Sequence, residues 1–166
     1  MEPQPDAVRL RAVRPEDDGL YLALRGDDLA MADLGGPLPE DQILRSLARE
    51  VADTDAGRAW VSVIELAHKR TWLAVGNLTV VTNGEGVSEI GWMVLPQWQR
   101  RGIAAQALSL ALADPRRAAW GPLHAYPAAS NDASNRLCAS TGFVLRGAKT
   151  VEFYGQLFET NEWVHG

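Results

Sequence analysis

The sequence predicts an α/β (α+β) domain, a mixed, mostly antiparallel central sheet flanked by helices. Three observations carry that prediction. Residues 8–13 alternate apolar and basic side chains and run into Pro15 and Glu16-Asp17-Asp18, which reads as a half-exposed strand followed by a helix start. Three strand-like segments, 59–66, 71–81 and 87–95, follow one another with short turns between them, as in an antiparallel meander. Residues 103–112 are Ala-rich and apolar on nearly all sides, as in a helix buried against a sheet.

In chain order, the first helix should end near Arg25. Gly35-Gly36-Pro37 breaks the chain, and Pro39-Glu40-Asp41 opens a second helix with Ile43, Leu44, Leu47 and Val51 at helical spacing. These two helices belong on the acceptor side of any site. His68-Lys69-Arg70 joins the first two meander strands, and Thr82-Asn83-Gly84-Glu85-Gly86 turns the chain into the third. Trp60, Trp72 and Trp92 fall on these strands, where core packing is expected of them. Pro115 ends the buried helix; residues 122–126 read as a strand, and 134–140 as a helix stopped by Gly142. Residues 143–146, 150–154 and 157–164 complete a terminal hairpin. Residues 1–166 are expected to form a single domain, a length that can bury one real core.

Composition excludes several classes. With 46% apolar and 22% charged residues the chain reads as globular, and its longest apolar runs are far too short for a bilayer. Met1-Glu2-Pro3-Gln4-Pro5-Asp6 lacks the basic start and apolar stretch of a secretion signal, so a cytoplasmic location is expected. The single cysteine, Cys138, agrees with a reducing compartment and cannot build a thiolate metal cluster. His68, His124 and His165 lack metal-ligand spacing, so no metal is expected. Residues 1–56 hold 13 acids against 6 bases, within a chain of net charge −5. Such a balance repels nucleic acid and attracts a cationic acceptor, unless Glu16, Asp17, Asp18, Asp27 and Asp28 are simply solvated surface. Arg100, Arg101, Arg116 and Arg117 against Asp114 make the 99–117 stretch locally positive.

The run Gln99-Arg100-Arg101-Gly102-Ile103-Ala104 follows a strand ending Trp92-Met93-Val94-Leu95-Pro96 and opens the buried helix. In a strand, tight turn and helix start of this kind, successive N–H groups point outward at the positive end of the helix and cradle phosphate oxygens. Gly102 keeps a side chain from holding a phosphate off, and the two arginines add charge. Neither Gly-x-Gly-x-x-Gly nor Gly-x-x-x-x-Gly-Lys-Ser/Thr is present, so this is not one of the commoner phosphate loops.

With Val94-Leu95-Pro96 ahead of it, this Gln/Arg-x-x-Gly-x-Gly/Ala turn resembles that of the GNAT superfamily of acetyl-CoA-dependent N-acetyltransferases. Downstream, Asn131-Asp132-Ala133-Ser134 and the closing Gly142-Phe143 resemble the Asn-x-x-Ser/Ala helix of its ribosomal-protein (RimJ/RimL-like) acetyltransferase branch, and Val8-Arg9-Leu10-Arg11 with Glu16-Asp17-Asp18 is similar to that branch's first strand and helix. The resemblance implies a GNAT-type sheet and acetyl-CoA as cosubstrate. It implies acetyl transfer to a primary amine by direct attack in a ternary complex. A protein N-terminal amine is the favoured acceptor; alternatives are a small amine or aminoglycoside, or an acyl-CoA sensor without turnover. A homodimer paired through the terminal hairpin is possible within such a family.

The cofactor-binding residues this implies are Gln99, Arg100, Arg101, Gly102, Ile103 and Ala104 for the diphosphate and Met93 and Val94, at a strand bulge, for the pantetheine backbone. The Val94 N–H would meet the developing oxyanion. Asn131 either holds the pantetheine or caps a helix. Transfer also needs a base and an acid. Glu89 is the candidate base, since burial in an apolar strand would raise its pKa, with pairing to an arginine as the structural alternative. Cys138 falls where many family members carry a tyrosine acid, so Ser134 is the candidate proton donor, with Tyr126 and Tyr154 behind it. Trp98, beside the turn, could lean on the cofactor.

Overall fold

The computed structural model describes residues 6–166; the opening segment read above for a missing secretion signal lies, apart from Asp6, outside them. Seven strands form one sheet in the order β1-β2-β3-β4-β5-β7-β6. They are β1 Val8–Ala12, β2 Ala59–His68, β3 Thr71–Thr82, β4 Ser88–Val94, β5 Leu123–Ala125, β6 Val144–Phe153 and β7 Gln156–His165. The helices are α1 Asp18–Arg25, α2 Glu40–Asp55, α3 Ile103–Ala113 and α4 Asp132–Ser140. All neighbouring strands are antiparallel except β4 and β5, whose parallel pairing is confined to Ser88↔Leu123 and Glu89↔His124. This is the mixed, mostly antiparallel sheet flanked by helices that the sequence predicts.

Strand alternation sends side chains to two cores. On one face Ile64, Leu78, Val80 and Ile90 pack with Ile103, Ala107, Leu108 and Ala111 of α3 and Cys138 of α4. On the other, Val61 and Val63 pack with Tyr21 of α1 and Ile43 and Leu47 of α2. Leu108 is fully buried, a burial that contributes about 2 kcal/mol. Leu44, grouped above with the apolar stripe of α2, is exposed, and Trp72 is only half-buried, with Arg9 stacked 4.1 Å above its ring instead of a core around it.

Of the acids read above as solvated surface, Glu16, Asp18 and Asp28 are exposed, whereas Asp17 is buried and structural. Arg11 grips Asp17 with both terminal nitrogens at 3.0 and 2.7 Å, and its Nε donates to Glu65 at 2.7 Å, while Arg9 Nε reaches the other Glu65 oxygen at 2.6 Å. Asp17 also accepts from the Arg14 N–H at 2.7 Å. Burial pushes both carboxyls up, but the arginine bonds outweigh it and hold Asp17 and Glu65 below their ordinary range. Arg116 and Arg117 are likewise committed, to Asp114 and to the carbonyls of Gly121 and His165, so they do not add to the charge at the turn.

Two local departures matter. The terminal segment is not three pieces: 143–146 and 150–154 join into the single strand β6, because a register shift between Leu145 and Gly147 takes up Arg146 as the extra residue of a bulge. The bulge expected at Met93 and Val94 lies across the ladder instead. Pairing of β3 with β4 runs unbroken from Thr82↔Ser88 to Gly76↔Val94, and the extra residue sits in β3, at Val75, between the partners of Ile64 and Glu65. A Cβ on Gly76 would lie 2.2 Å from the Met93 carbonyl oxygen, so this close crossing requires glycine.

Candidate functional site

Beyond Glu89 the strands β4 and β5 part, although β4 continues to Val94. The ladder with β3 tells which main-chain groups face the gap. Asn83 N–H bonds Val87 O at one end and Leu95 N–H bonds Val75 O at the other, both at 2.8 Å. Antiparallel alternation between these ends commits Gly91 and Met93 to β3 and turns the N–H and C=O of Trp92 and Val94 into the gap. Met93, expected to offer its backbone, therefore offers only its side chain. The Val94 carbonyl is taken by Gln99 Nε2 at 3.0 Å, which leaves the Val94 N–H as the donor there.

The gap opens into a cavity of about 750 Å³. Met93, Val94, Gln99, Arg100, Gly102, Ile103, Ala104, Asn131 and Ser134 all line it. Two expected residues do not. Arg101 turns back to stack 4.8 Å above the Trp98 ring and borders a separate small cleft with Leu66 and Gln106. Glu89 accepts from Asn83 Nδ2 at 2.8 Å, and Asn83 Oδ1 in turn takes the N–H groups of Glu85 and Val87. Glu89 thus braces the β3–β4 turn through an asparagine, where the sequence alternative was an arginine.

At the other side of the gap the chain bends through Gln99 into α3. Arg100 has φ 62° and Gly102 φ 74°, two left-handed residues that curl the main chain into a concave turn. Gly102 is the N-cap of α3, and no side chain caps the helix. Among the described residues, the N–H groups of Arg100, Arg101, Gly102, Ile103, Ala104 and Ala105 have no acceptor. Free donors at the positive end of a helix can bind anionic oxygens.

Asn131 performs the capping role foreseen as an alternative, its Oδ1 accepting from Ser134 N–H at 3.1 Å at the start of α4. Its amide nitrogen has no protein acceptor, so one side chain caps the helix and still presents donors to the cavity. The Ser134 hydroxyl makes no hydrogen bond among the described residues and faces a cavity it lines. Cys138 is fully buried in the core, its thiol pushed up to about 12 by burial, and takes no part.

The far end of the cavity is walled by Arg25, Met31, Leu34, Asn77, Thr79, Phe153 and Tyr154, with Asp33 as its carboxylate. Arg25 is neutralised by a two-point pair with Glu50 at 2.9 Å. Tyr154, in the two-residue turn joining β6 to β7, lies 3.4 Å from the Ser46 hydroxyl. The fully buried Tyr21 hydroxyl finds no well-formed hydrogen bond among the described residues. Asn77 escaped the sequence reading, although a buried asparagine between Gly76 and Leu78 in an apolar strand is a legible oddity. Glu162 escaped it too. Its Oε2 accepts from the Tyr126 hydroxyl at 2.8 Å, beside the cavity, and nothing local in the sequence marks that pair.

Among the described residues no group of His, Cys, Asp and Glu is arranged to hold a metal ion, and no helix is long and apolar enough to cross a membrane.

Residues 7–144 match the acetyltransferase (GNAT) domain family. No curated protein matches the chain in sequence. Among solved structures, the chain resembles RimL, the ribosomal L7/L12 alpha-N-protein acetyltransferase in complex with coenzyme A, at 19% identity and a TM-score of 0.77, over 98% of this chain and 96% of that one. It resembles the ribosomal-protein-S5-alanine acetyltransferase of Vibrio fischeri at 14% identity and TM-score 0.77, over 99% and 96%. The microcin C7 self-immunity acetyltransferase MccE, in complex with acetyl-CoA and AMP, matches at 16% identity and TM-score 0.77, over 96% and 92%. At these identities the likeness is one of fold.

Proposed function

Because this chain belongs to the GNAT acetyltransferase family, we propose that residues 1–166 act as one catalytic domain that transfers an acetyl group from acetyl-CoA to a primary amine, favouring a protein N-terminal amine. The observation that carries the reading is the continuity of one cavity from the free N–H groups at 100–105, past the Val94 N–H, to the neutral wall around Asn77 and Thr79. In this reading the turn holds the CoA diphosphate through Arg100, Gly102, Ile103 and Ala104. Asn131 and the Trp92–Val94 edge hold the pantetheine as an added strand would be held. The thioester carbonyl then meets the Val94 N–H, which is free to stabilise the charge that develops on its oxygen. The amine attacks directly, and proximity in the ternary complex supplies much of the acceleration. In this reading the Ser134 hydroxyl, which lines the cavity, protonates the departing thiolate.

The wall of the acceptor end supports a singly charged amine next to neutral or apolar groups. An acceptor with several ammonium groups would call for several carboxylates, and of the acids in the first third only Asp33 lines the cavity. The alternative acceptors, aminoglycosides and polyamines, are thereby disfavoured. RimL and the S5 enzyme are named for ribosomal-protein acceptors, which is consistent with a peptide N-terminus here.

The test is thiol release from acetyl-CoA with the full chain and a panel of short peptides with free N-termini, polyamines and aminoglycosides. Turnover on peptides with little on polycations is the expected result. Tight CoA binding without turnover on any amine would move the protein to the sensor class.

A further inference from the structure

We propose that Tyr126 is the proton acceptor of the transfer and that Glu162, held by His124, carries the proton away behind it, an inference that rests on the acetyl-transfer reading above. The pair is built by strand register. His124 pairs with Val164 and Ala125 with Trp163, so the next position sets Tyr126 beside Glu162 on one face. The Tyr126 hydroxyl donates to Glu162 Oε2 at 2.8 Å, and the same oxygen lies 3.3 Å from His124 Nδ1 and 3.8 Å from Lys149 Nζ.

Tyr126 lines the cavity at the point that matters. Had β4 and β5 stayed paired beyond Glu89↔His124, Gly91 would face Tyr126, so the ring stands where the strands part. Gly91 carries no side chain to fill that space. The charged and titratable groups around Tyr126 are Glu162 on β7, His124 on β5 with its ring stacked at 6.3 Å, and Lys149 on β6, 5.1 Å above the phenol ring. Glu89 on β4 and Glu85 in the adjoining turn add negative charge. Burial, then the bond to Glu162, push the phenol well above its ordinary range, while the Tyr126, His124 and Lys149 contacts keep Glu162 ionised. A hydroxyl already donating to a carboxylate is a poor donor to sulfur, but its oxygen can take a proton as its own moves to that carboxylate. The geometry therefore assigns Tyr126 to the base role and leaves the acid role to Ser134.

The protons balance. The acceptor ammonium gives one proton to Tyr126 Oη as Tyr126 passes its own to Glu162 Oε2. The freed lone pair forms the N–C bond, and the C–S bond breaks as the tetrahedral intermediate collapses. The second nitrogen proton goes to the departing sulfur, giving CoA thiol. Glu162, held by His124 Nδ1 and itself partly exposed, releases its proton to water. One proton is released for each amide formed.

The experiment compares the full-length protein with Tyr126→Phe and Glu162→Gln, by calorimetric CoA titration and by thiol release on N-terminally free peptides from about pH 6 to about pH 10. We expect CoA affinity to stay within about twofold, while kcat at neutral pH falls about a hundredfold in Tyr126→Phe and less in Glu162→Gln. Both deficits should shrink as pH rises to where the amine is already neutral, a trend that lost packing would not give. A Tyr126→Phe rate within about twofold of the parent, or a deficit equal at every pH, overturns the assignment. Should Tyr126→Phe lose CoA binding as well, Glu162→Gln, which keeps its size and an acceptor oxygen, decides by the same pH criterion. Failure of the parent protein to bind CoA or to acetylate any amine would instead sink the acetyl-transfer reading.

Discussion

Around residues 99–105 the cavity is built from main chain: six N–H groups without acceptors, two left-handed residues and an uncapped helix start. Around Asn77 and Tyr126 it is built from side chains that arrive from β3, the end of β5, the β6–β7 turn and the segment after α1, with Glu162 of β7 behind Tyr126. The first end needs only a few consecutive residues of the right kind, so it can bind the part of a ligand that never changes. The second depends on strand register and on distant partners, so it can be rebuilt for a new acceptor without disturbing the first. Substitutions at the two ends should therefore have separable effects.

The largest effect is expected from Gly102→Glu. It puts a side chain on a residue with φ 74° and a negative charge at the positive end of α3. CoA affinity by calorimetry should fall at least about a hundredfold with the circular dichroism unchanged, and unchanged affinity would break the division of labour between the ends.

Next is Gly76→Ala, whose Cβ would press on the Met93 carbonyl oxygen. Because backbone and not a flexible side chain must give way, a loss of about 2 kcal/mol or more in denaturant unfolding is expected. Turnover should fall more than CoA affinity, since the β3–β4 crossing positions Val94 rather than the turn.

Asp17→Asn sharpens the comparison from outside the site, because Asp17 does not line the cavity. Removing one partner from a nearly buried pair with Arg11 should cost about 2 kcal/mol of stability and leave CoA affinity alone. Asp17 and Glu65 titrate below their unfolded values. Their stabilisation is therefore fully present above about pH 5 and is lost as pH falls through the lower folded values. In Asp17→Asn the acid limb of the stability profile should flatten; an unchanged limb would mean the carboxyl is not held there.

The smallest effect is expected from Glu89→Gln. Glu89 lies outside the cavity lining and binds Asn83, a contact the amide oxygen can keep. A kcat within about twofold of the parent and an unshifted pH profile are expected; a tenfold loss would return the base role to Glu89.

How much of this was legible in the sequence follows the same division. The turn at 99–104, the meander and the buried helix announce themselves through glycine, periodicity and composition within one short window, and the elements stand where those signals put them. Asn131 was legible as a cap or a ligand contact because both roles reside in one local motif. The pairing of Tyr126 with Glu162 was not, since it arises from β5 meeting β7 across a sequence separation of 36 residues. The position of the bulge was misjudged for a related reason: Gly76 and Val75 in β3, not the residues of β4, absorb the extra residue, and which strand of a ladder bulges depends on its other neighbour. Glu89 looked like a base because its strand is apolar, but Asn83, six residues earlier, had already claimed it.

Titrating isotope-labelled protein with CoA while following each backbone amide by NMR probes the main-chain turn most directly. The amides of Arg100, Gly102, Ile103 and Ala104 should move furthest, followed by Val94, with Glu89 and Asp17 nearly still. Saturable CoA binding that leaves the 100–105 amides in place would contradict the assignment of that turn to the diphosphate.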